Sequence, residues 1–140
     1  MEYIISLILL TLSLFLKSQV HTYQSTSYAY KVKTGKDWGN AGDNWSKKTV
    51  IKVNITVDFN NDVIFIDSEK PQKFILQNFI GKQLNKNGDE TVSFRAIDQS
   101  SKPCKVMFVF SNSGKSHQIY FIYNDFKYYY NFFSEGSFFD

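Results

Sequence analysis

The stretch Thr49-Val-Ile-Lys-Val-Asn-Ile-Thr-Val-Asp-Phe59 decides the fold of this chain. Its apolar and polar side chains alternate, and a period of two residues indicates a β-strand with one face in the core and one in water. Six further stretches of similar length follow, separated by short polar turns. The sequence therefore predicts an all-β domain built as one antiparallel meander.

Turn residues bound the other predicted strands. Asn60-Asn61 and Asn87-Gly88 are hairpin signals, because Asn and Gly tolerate positive φ angles. A first strand at Tyr28–Lys33, with lysines on its outer face, is expected after a polar and partly frayed segment, residues 19–27. The remaining strands are expected at Val63–Ile66, Gln72–Ile80, Thr91–Asp98, Cys104–Phe110, His117–Asn124 and Phe126–Phe133.

These short connections predict an up-and-down barrel of about eight strands. We expect it to be closed or partly closed, as in lipocalins and other calycins, because closure removes exposed strand edges. A two-sheet β-sandwich is the alternative. From Val106 onward both strand faces are apolar. Their outer faces are therefore either covered, by the loop Thr34–Ser46 or the tail Phe138-Phe139, or they form an exposed interaction surface.

The N-terminal segment Ile4–Leu16 is apolar and carries no charge. It is too short to cross ~30 Å of hydrocarbon as a helix, and it is typical of a secretory signal peptide. We expect residues 1–18 to be removed, with cleavage near Ser18-Gln19. Residues 19–140 then form one exported domain in the periplasm, at the cell surface or outside the cell, without stable membrane insertion. An uncleaved anchor is the alternative, since no Lys or Arg precedes the apolar run.

Charge argues against a nucleic-acid-binding function. The formal net charge is +3, and the lysines are spread singly over strand exteriors and turns. A nucleic-acid site needs a basic cluster with interleaved aromatic residues on one face, which the sequence lacks. Lysines at regular positions on the polar faces also argue against strands that face lipid.

Motifs for metal or nucleophile chemistry are weak. Two histidines and the single Cys104 do not make a zinc set, and Cys104 alternates with core residues, which favours a buried thiol. Asp58, Asn60, Asp62 and Glu69 match calcium-loop positions, but Val63 stands where that loop needs glycine. We therefore favour a hairpin turn there and expect no metal or cofactor.

Acidic turns are the basis of one alternative function. A secreted hydrolase or inhibitor would need carboxylates close together in one cleft. This alternative predicts that Asp67, Glu69, Asp89 or Glu90 converges with Arg95 or His117.

Aromatic residues suggest the preferred function. The loop Thr34–Ser46 contains both tryptophans of the chain, which either plug one end of the core or form a ligand mouth or a partner surface. Together with the aromatic C-terminal strands, they predict a non-enzymatic module that binds a protein partner or a small apolar ligand. A structural or adhesion protein is a further alternative. The candidate site residues are Trp38, Trp45, Tyr120, Tyr128 and Tyr130.

Several short motifs are spread over most of the chain after the apolar N-terminal segment. They are Tyr28-Ala29-Tyr30-Lys31-Val32-Lys33, Trp38-Gly39, Trp45-Ser46, Gly88-Asp89-Glu90, Phe94, Asp98, Cys104 and Tyr123-Asn124-Asp125. Together they resemble small exported all-β proteins of Gram-negative, Bacteroidetes-like bacteria whose function is unknown. The resemblance implies a bacterial exported protein and no particular activity. In that family pattern a second cysteine lies across a hairpin from the position of Cys104, where this chain has Ala96.

Overall fold

The computed structural model describes residues 20–32, 45–114 and 116–134. These residues form nine β-strands, all paired antiparallel, and among them no helix is long and apolar enough to cross a membrane. The strands are β1 (Val20–Val32), β2 (Thr49–Val50), β3 (Asn54–Asp58), β4 (Val63–Asp67), β5 (Gln72–Leu84), β6 (Glu90–Asp98), β7 (Pro103–Phe110), β8 (Ser116–Ile122) and β9 (Phe126–Phe133).

Eight of these strands close into a barrel. From β3 to β9 each strand pairs with the next, and β1 completes the ring by pairing with β3 on one edge and β9 on the other. The short β2 lies beside β1 as an additional strand. The predicted up-and-down barrel is thus confirmed, and the two-sheet sandwich is wrong.

The predicted strand from Thr49 to Phe59 is divided into β2 and β3. β1 has a bulge between Ser25 and Ser27 in its pairing with β9. On its other edge, the buried Ser25 hydroxyl bonds to backbone groups of the segment between β2 and β3. Ser25 Oγ donates to Ile51 O over 2.7 Å and accepts from Val53 N over 3.0 Å. The predicted alternation continues through the break, since Val53, Ile55 and Val57 are all buried.

β1 begins at Val20, so residues 20–27 lie in a strand, where a partly frayed segment was expected. Its first residues pair in register with β3, from Val20 with Asp58 to Gln24 with Asn54. Backbone hydrogen bonding to an adjacent strand does not require apolar side chains. A polar segment can therefore form its full set of backbone hydrogen bonds when a neighbouring strand is present.

Side chains fill the middle of the barrel. Phe74 of β5 stacks on Phe121 of β8 with ring centroids 4.2 Å apart. Fully buried aliphatic residues of β3, β4, β7 and β8 surround this pair. They include Ile55, Val57, Ile64, Ile66, Val106 and Ile119.

β5 extends beyond its neighbour β4. The last backbone hydrogen bond to the β4 side is from Leu76 N to Asp62 O, at 2.7 Å. Residues 78–84 pair only with β6 among the described strands, across two register shifts. Phe79 and Leu84 are 62% and 71% exposed. The far half of β5 is consequently an edge of the sheet.

Residues 78–84 of β5 and their partners in β6 form a two-stranded ribbon, the β5–β6 ribbon. The predicted hairpin at Asn87-Gly88 is present at its end. Gly88 has a φ of +83°, which glycine adopts without a steric cost. Asn85 Oδ1 accepts hydrogen bonds from the backbone of Asn87 and of Asp89, both at 2.9 Å. The turn is therefore held by its own side chains.

Candidate functional site

A cavity of about 380 Å³ opens at one end of the barrel. We call it the barrel mouth. It lies where β5 begins, β6 ends and β9 begins, and its size is within the ~300–1,000 Å³ range of small-molecule sites. Six of its ten lining residues are aromatic. The lining residues are Tyr28, Ile51, Lys70, Gln72, Phe74, Gln99, Tyr123, Phe126, Tyr128 and Tyr130.

Strand register brings the aromatic rings together. Tyr128 and Tyr130 are two residues apart on β9 and so share the inner face. Tyr28 is the cross-strand partner of Tyr130 on β1, and their ring centroids are 5.2 Å apart. Phe126 stacks on Tyr123 at 4.5 Å. These rings of the mouth therefore come from β1, from β9 and, through Tyr123, from the turn between β8 and β9.

Gln72 fixes two of these rings. The Tyr128 hydroxyl donates to Gln72 Oε1 over 2.6 Å, and Gln72 Nε2 donates to the Tyr130 hydroxyl over 3.1 Å. Gln72 is the first residue of β5, directly after a turn in which Ser68 Oγ bonds Lys70 O. The turn thus sets the position of the amide that orients the tyrosines.

Tyr123 is held by Asp98. Its hydroxyl donates to Asp98 Oδ2 over 2.8 Å, while Asp98 Oδ1 accepts from the backbone of Ser100 and Lys102. Burial raises the pKa of Asp98, but these hydrogen bonds outweigh it and keep the pKa below its ordinary value. The Lys102 ammonium also lies 5.2 Å from the Tyr123 ring centroid. The carboxylate is therefore ionised and its oxygens are occupied.

The phenols of the mouth are neutral at physiological pH. Burial raises the pKa of Tyr28, Tyr123, Tyr128 and Tyr130 above the ordinary tyrosine value. Each hydroxyl thus keeps its proton, so tyrosine adds no negative charge to the cavity wall.

The candidate residues predicted from sequence separate into two places. Tyr128 and Tyr130 line the mouth. Tyr120 and Trp45 lie on the outer wall, where Trp45 packs at 6.2 Å from Tyr120 and 5.0 Å from Tyr129. Trp38 lies outside the described residues.

Trp45 covers the outer wall where β8, β9 and β1 meet. Trp45 is not among the described residues that line the barrel mouth. Lys31 and Lys127 place their ammonium groups 5.7 and 5.5 Å from its ring centroid. Lys31 is on the outer face, as predicted for the lysines of that strand, yet it is only 2% exposed. This part of the second apolar face is therefore covered rather than a free aromatic strip.

Sequence reasoning missed the other residues of the mouth. Lys70, Gln72 and Gln99 come from turns or strand starts, and Tyr28 belongs to a strand far from β9 in sequence. Only the β1–β9 pairing places Tyr28 beside Tyr130. Alternation within β9 could have pointed to the inward face, but not to the residues opposite it.

A second depression, of about 480 Å³, lies beside β6, β7 and β8. Its wall carries Arg95, Lys105 and Gln77 from the outer faces of strands, and Tyr123 is its only aromatic residue. Cys104 borders it, but burial and the nearby Asp98 charge raise the pKa of this thiol to about 11. The thiol is therefore a poor nucleophile at neutral pH.

The acidic turns do not form one cleft. Asp67 and Glu69 lie before the start of β5, whereas Asp89 and Glu90 follow its other end. His117 is buried; its Nδ1 accepts from Ser111 N over 2.9 Å and its Nε2 donates to Ser134 O over 3.1 Å. Both ring nitrogens of His117 are therefore occupied by backbone partners.

The calcium-loop residues form a hairpin turn. Asp58 accepts hydrogen bonds from Asn60 N, Asn61 N and Asn61 Nδ2, and Glu69 lies beyond the other end of β4. Within residues 20–32, 45–114 and 116–134, no three His, Cys, Asp or Glu side chains are grouped to hold a metal ion.

No protein-family model matches this chain, and no curated protein or solved structure matches it at a significant level. The site must therefore be interpreted from its own geometry and chemistry.

Proposed function

We propose that this chain is an exported, non-enzymatic binding protein that holds one small, ring-containing apolar ligand in the barrel mouth. The observation that carries the proposal is the cavity of about 380 Å³ with six aromatic lining residues. Large apolar walls with a few fixed polar groups are typical of small-molecule sites. The uncharged segment Ile4–Leu16 supports export.

The polar groups of the mouth support binding rather than catalysis. Gln72, Tyr128 and Tyr130 hydrogen-bond to one another, and Tyr123 is bonded to Asp98. Nucleophilic catalysis needs a nucleophile next to a base, and hydrolysis by carboxylates needs a facing pair. Within the part of the chain that the structure describes, the lining residues include no Ser, Cys, His, Asp or Glu. This composition favours a site that orients a ligand.

The test uses a neutral probe, 2-naphthaleneethanol, titrated into the purified chain by isothermal calorimetry. We expect saturable binding with one site per chain. Ile51→Trp, which adds a large ring to the cavity wall, should weaken binding by at least about tenfold, since 1.4 kcal/mol of lost contact corresponds to that factor.

Ile75→Trp is the matched control, because Ile75 is 41% exposed and does not line the mouth. It should bind the probe like the parent chain. The proposal is wrong if the parent chain does not bind 2-naphthaleneethanol, or if both tryptophan variants weaken binding equally.

A further inference from the structure

The charge of the barrel mouth is one-sided. Among the described residues that line it, Lys70 is the only one with a full charge, and none is acidic. Asp98, next to the lining residue Gln99, is acidic, but its oxygens already accept hydrogen bonds from Tyr123, Ser100 and Lys102. Lys102 lies beside Tyr123 and Phe126, but Asp125 is 3.9 Å from its ammonium group and offsets its charge. Lys70 is therefore the cation that a bound ligand meets at the mouth.

Tyr130 adds a hydrogen-bond donor to the wall. Its hydroxyl accepts from Gln72 Nε2, and a phenol oxygen that accepts still has its own proton to give. Tyr128 differs, because its proton is given to Gln72 Oε1. Tyr130 is only 3% exposed, so water competes weakly for that proton. Its proton is therefore available to a bound group that accepts a hydrogen bond.

We propose that the barrel mouth selects ligands that carry a carboxylate on an aromatic body, with Lys70 and Tyr130 binding the carboxylate and the ring wall binding the body. This inference rests on the proposed binding function and names its ligand class. A carboxylate accepts hydrogen bonds only, which matches an ammonium group and a phenol that both donate. An amine of the same shape would meet Lys70 as a like charge.

The experiment compares three probes with the same ring system: 2-naphthaleneacetate, 2-naphthaleneethanol and 2-naphthaleneethylamine. Each is titrated into the full purified chain by calorimetry at neutral pH. A hydrogen bond to a charged group is worth enough to change affinity by roughly ten- to a hundredfold. We expect the carboxylate to bind about tenfold or more tightly than the alcohol, and the amine to bind most weakly.

Two variants assign the selectivity to its residues. Lys70→Gln should bring the carboxylate affinity down to that of the alcohol and leave the alcohol affinity unchanged. Tyr130→Phe should weaken the carboxylate more than the alcohol. Lys86→Gln is the control, because it removes the same charge from the exposed turn between β5 and β6, and it should keep the parent selectivity.

The outcomes separate the two proposals. Loss of binding for all three probes contradicts the proposed function itself. Binding of all three with equal affinity leaves the binding function standing and overturns the carboxylate inference. The carboxylate inference is also overturned if Lys70→Gln keeps the preference for the carboxylate over the alcohol, or if Lys86→Gln loses this preference as much as Lys70→Gln does.

Discussion

Ser25 shows how a single side chain can join two strands. It is 1% exposed, and its hydroxyl bonds both Ile51 O and Val53 N where β2 and β3 are interrupted. Ser25→Ala leaves both backbone groups buried without this partner. We expect the free energy of unfolding to fall by ~1–3 kcal/mol, measured by urea denaturation.

Thr22→Ala provides the comparison at the same scale. Thr22 is exposed, and its hydroxyl lies 3.3 Å from the Thr56 hydroxyl, so its loss should change stability by no more than about 0.5 kcal/mol. If Ser25→Ala costs no more than Thr22→Ala, the hydroxyl does not support the junction.

The β5–β6 ribbon contains two glycines with opposite requirements. A Cβ added at Gly81 would meet no atom within 4 Å, and the backbone of Gly81 is outside the left-handed region. A Cβ added at Gly88 would lie 2.9 Å from Asn112 Nδ2, and Gly88 has a φ of +83°. Gly81→Ala should stabilise the chain by ~0.4–1 kcal/mol by restricting the unfolded state, whereas Gly88→Ala should destabilise it by more than that amount.

Thermal unfolding of the two alanine variants measures this difference. Equal effects of Gly81→Ala and Gly88→Ala would contradict the conformations assigned to the ribbon.

Elements also show what sequence patterns could predict. Alternation in the stretch Thr49–Phe59 gave the correct inward face, because Val53, Ile55 and Val57 all lie on the buried side of the sheet. It missed the extension of β5 to Leu84, since residues 78–84 are held by pairing with β6 rather than by burial. It also missed the mouth, because the contact between Tyr28 and Tyr130 depends on ring closure and not on local pattern.

For the molecule as a whole, buried phenols make stability sensitive to alkali. Burial raises the pKa of six tyrosines above the ordinary value of 10.0, and raises the pKa of Cys104 from 9.0 to about 11. The unfolded chain loses these protons at lower pH than the folded chain. The stabilisation is therefore complete below about pH 9 and is lost as the pH rises further.

Urea denaturation between pH 8 and pH 11 tests this expectation. The lowered pKa of Lys127 acts in the opposite direction, but it is one group against seven. A free energy of unfolding that stays constant or increases over this range would contradict the buried environment of the tyrosines. The six tyrosines are Tyr28, Tyr120, Tyr123, Tyr128, Tyr129 and Tyr130.

The pairing of β1 with β9 has a consequence for the time course of folding. The bond from Thr26 Oγ1 to Asn131 O joins residues 105 positions apart, so the ring cannot close until its last strand is available. In intermediates that lack β9, the edges of β8 and β1 have unpaired backbone groups, which can pair with other chains and cause aggregation. Contacts of such long range slow folding, so a nascent chain stays vulnerable until its final strand has been delivered.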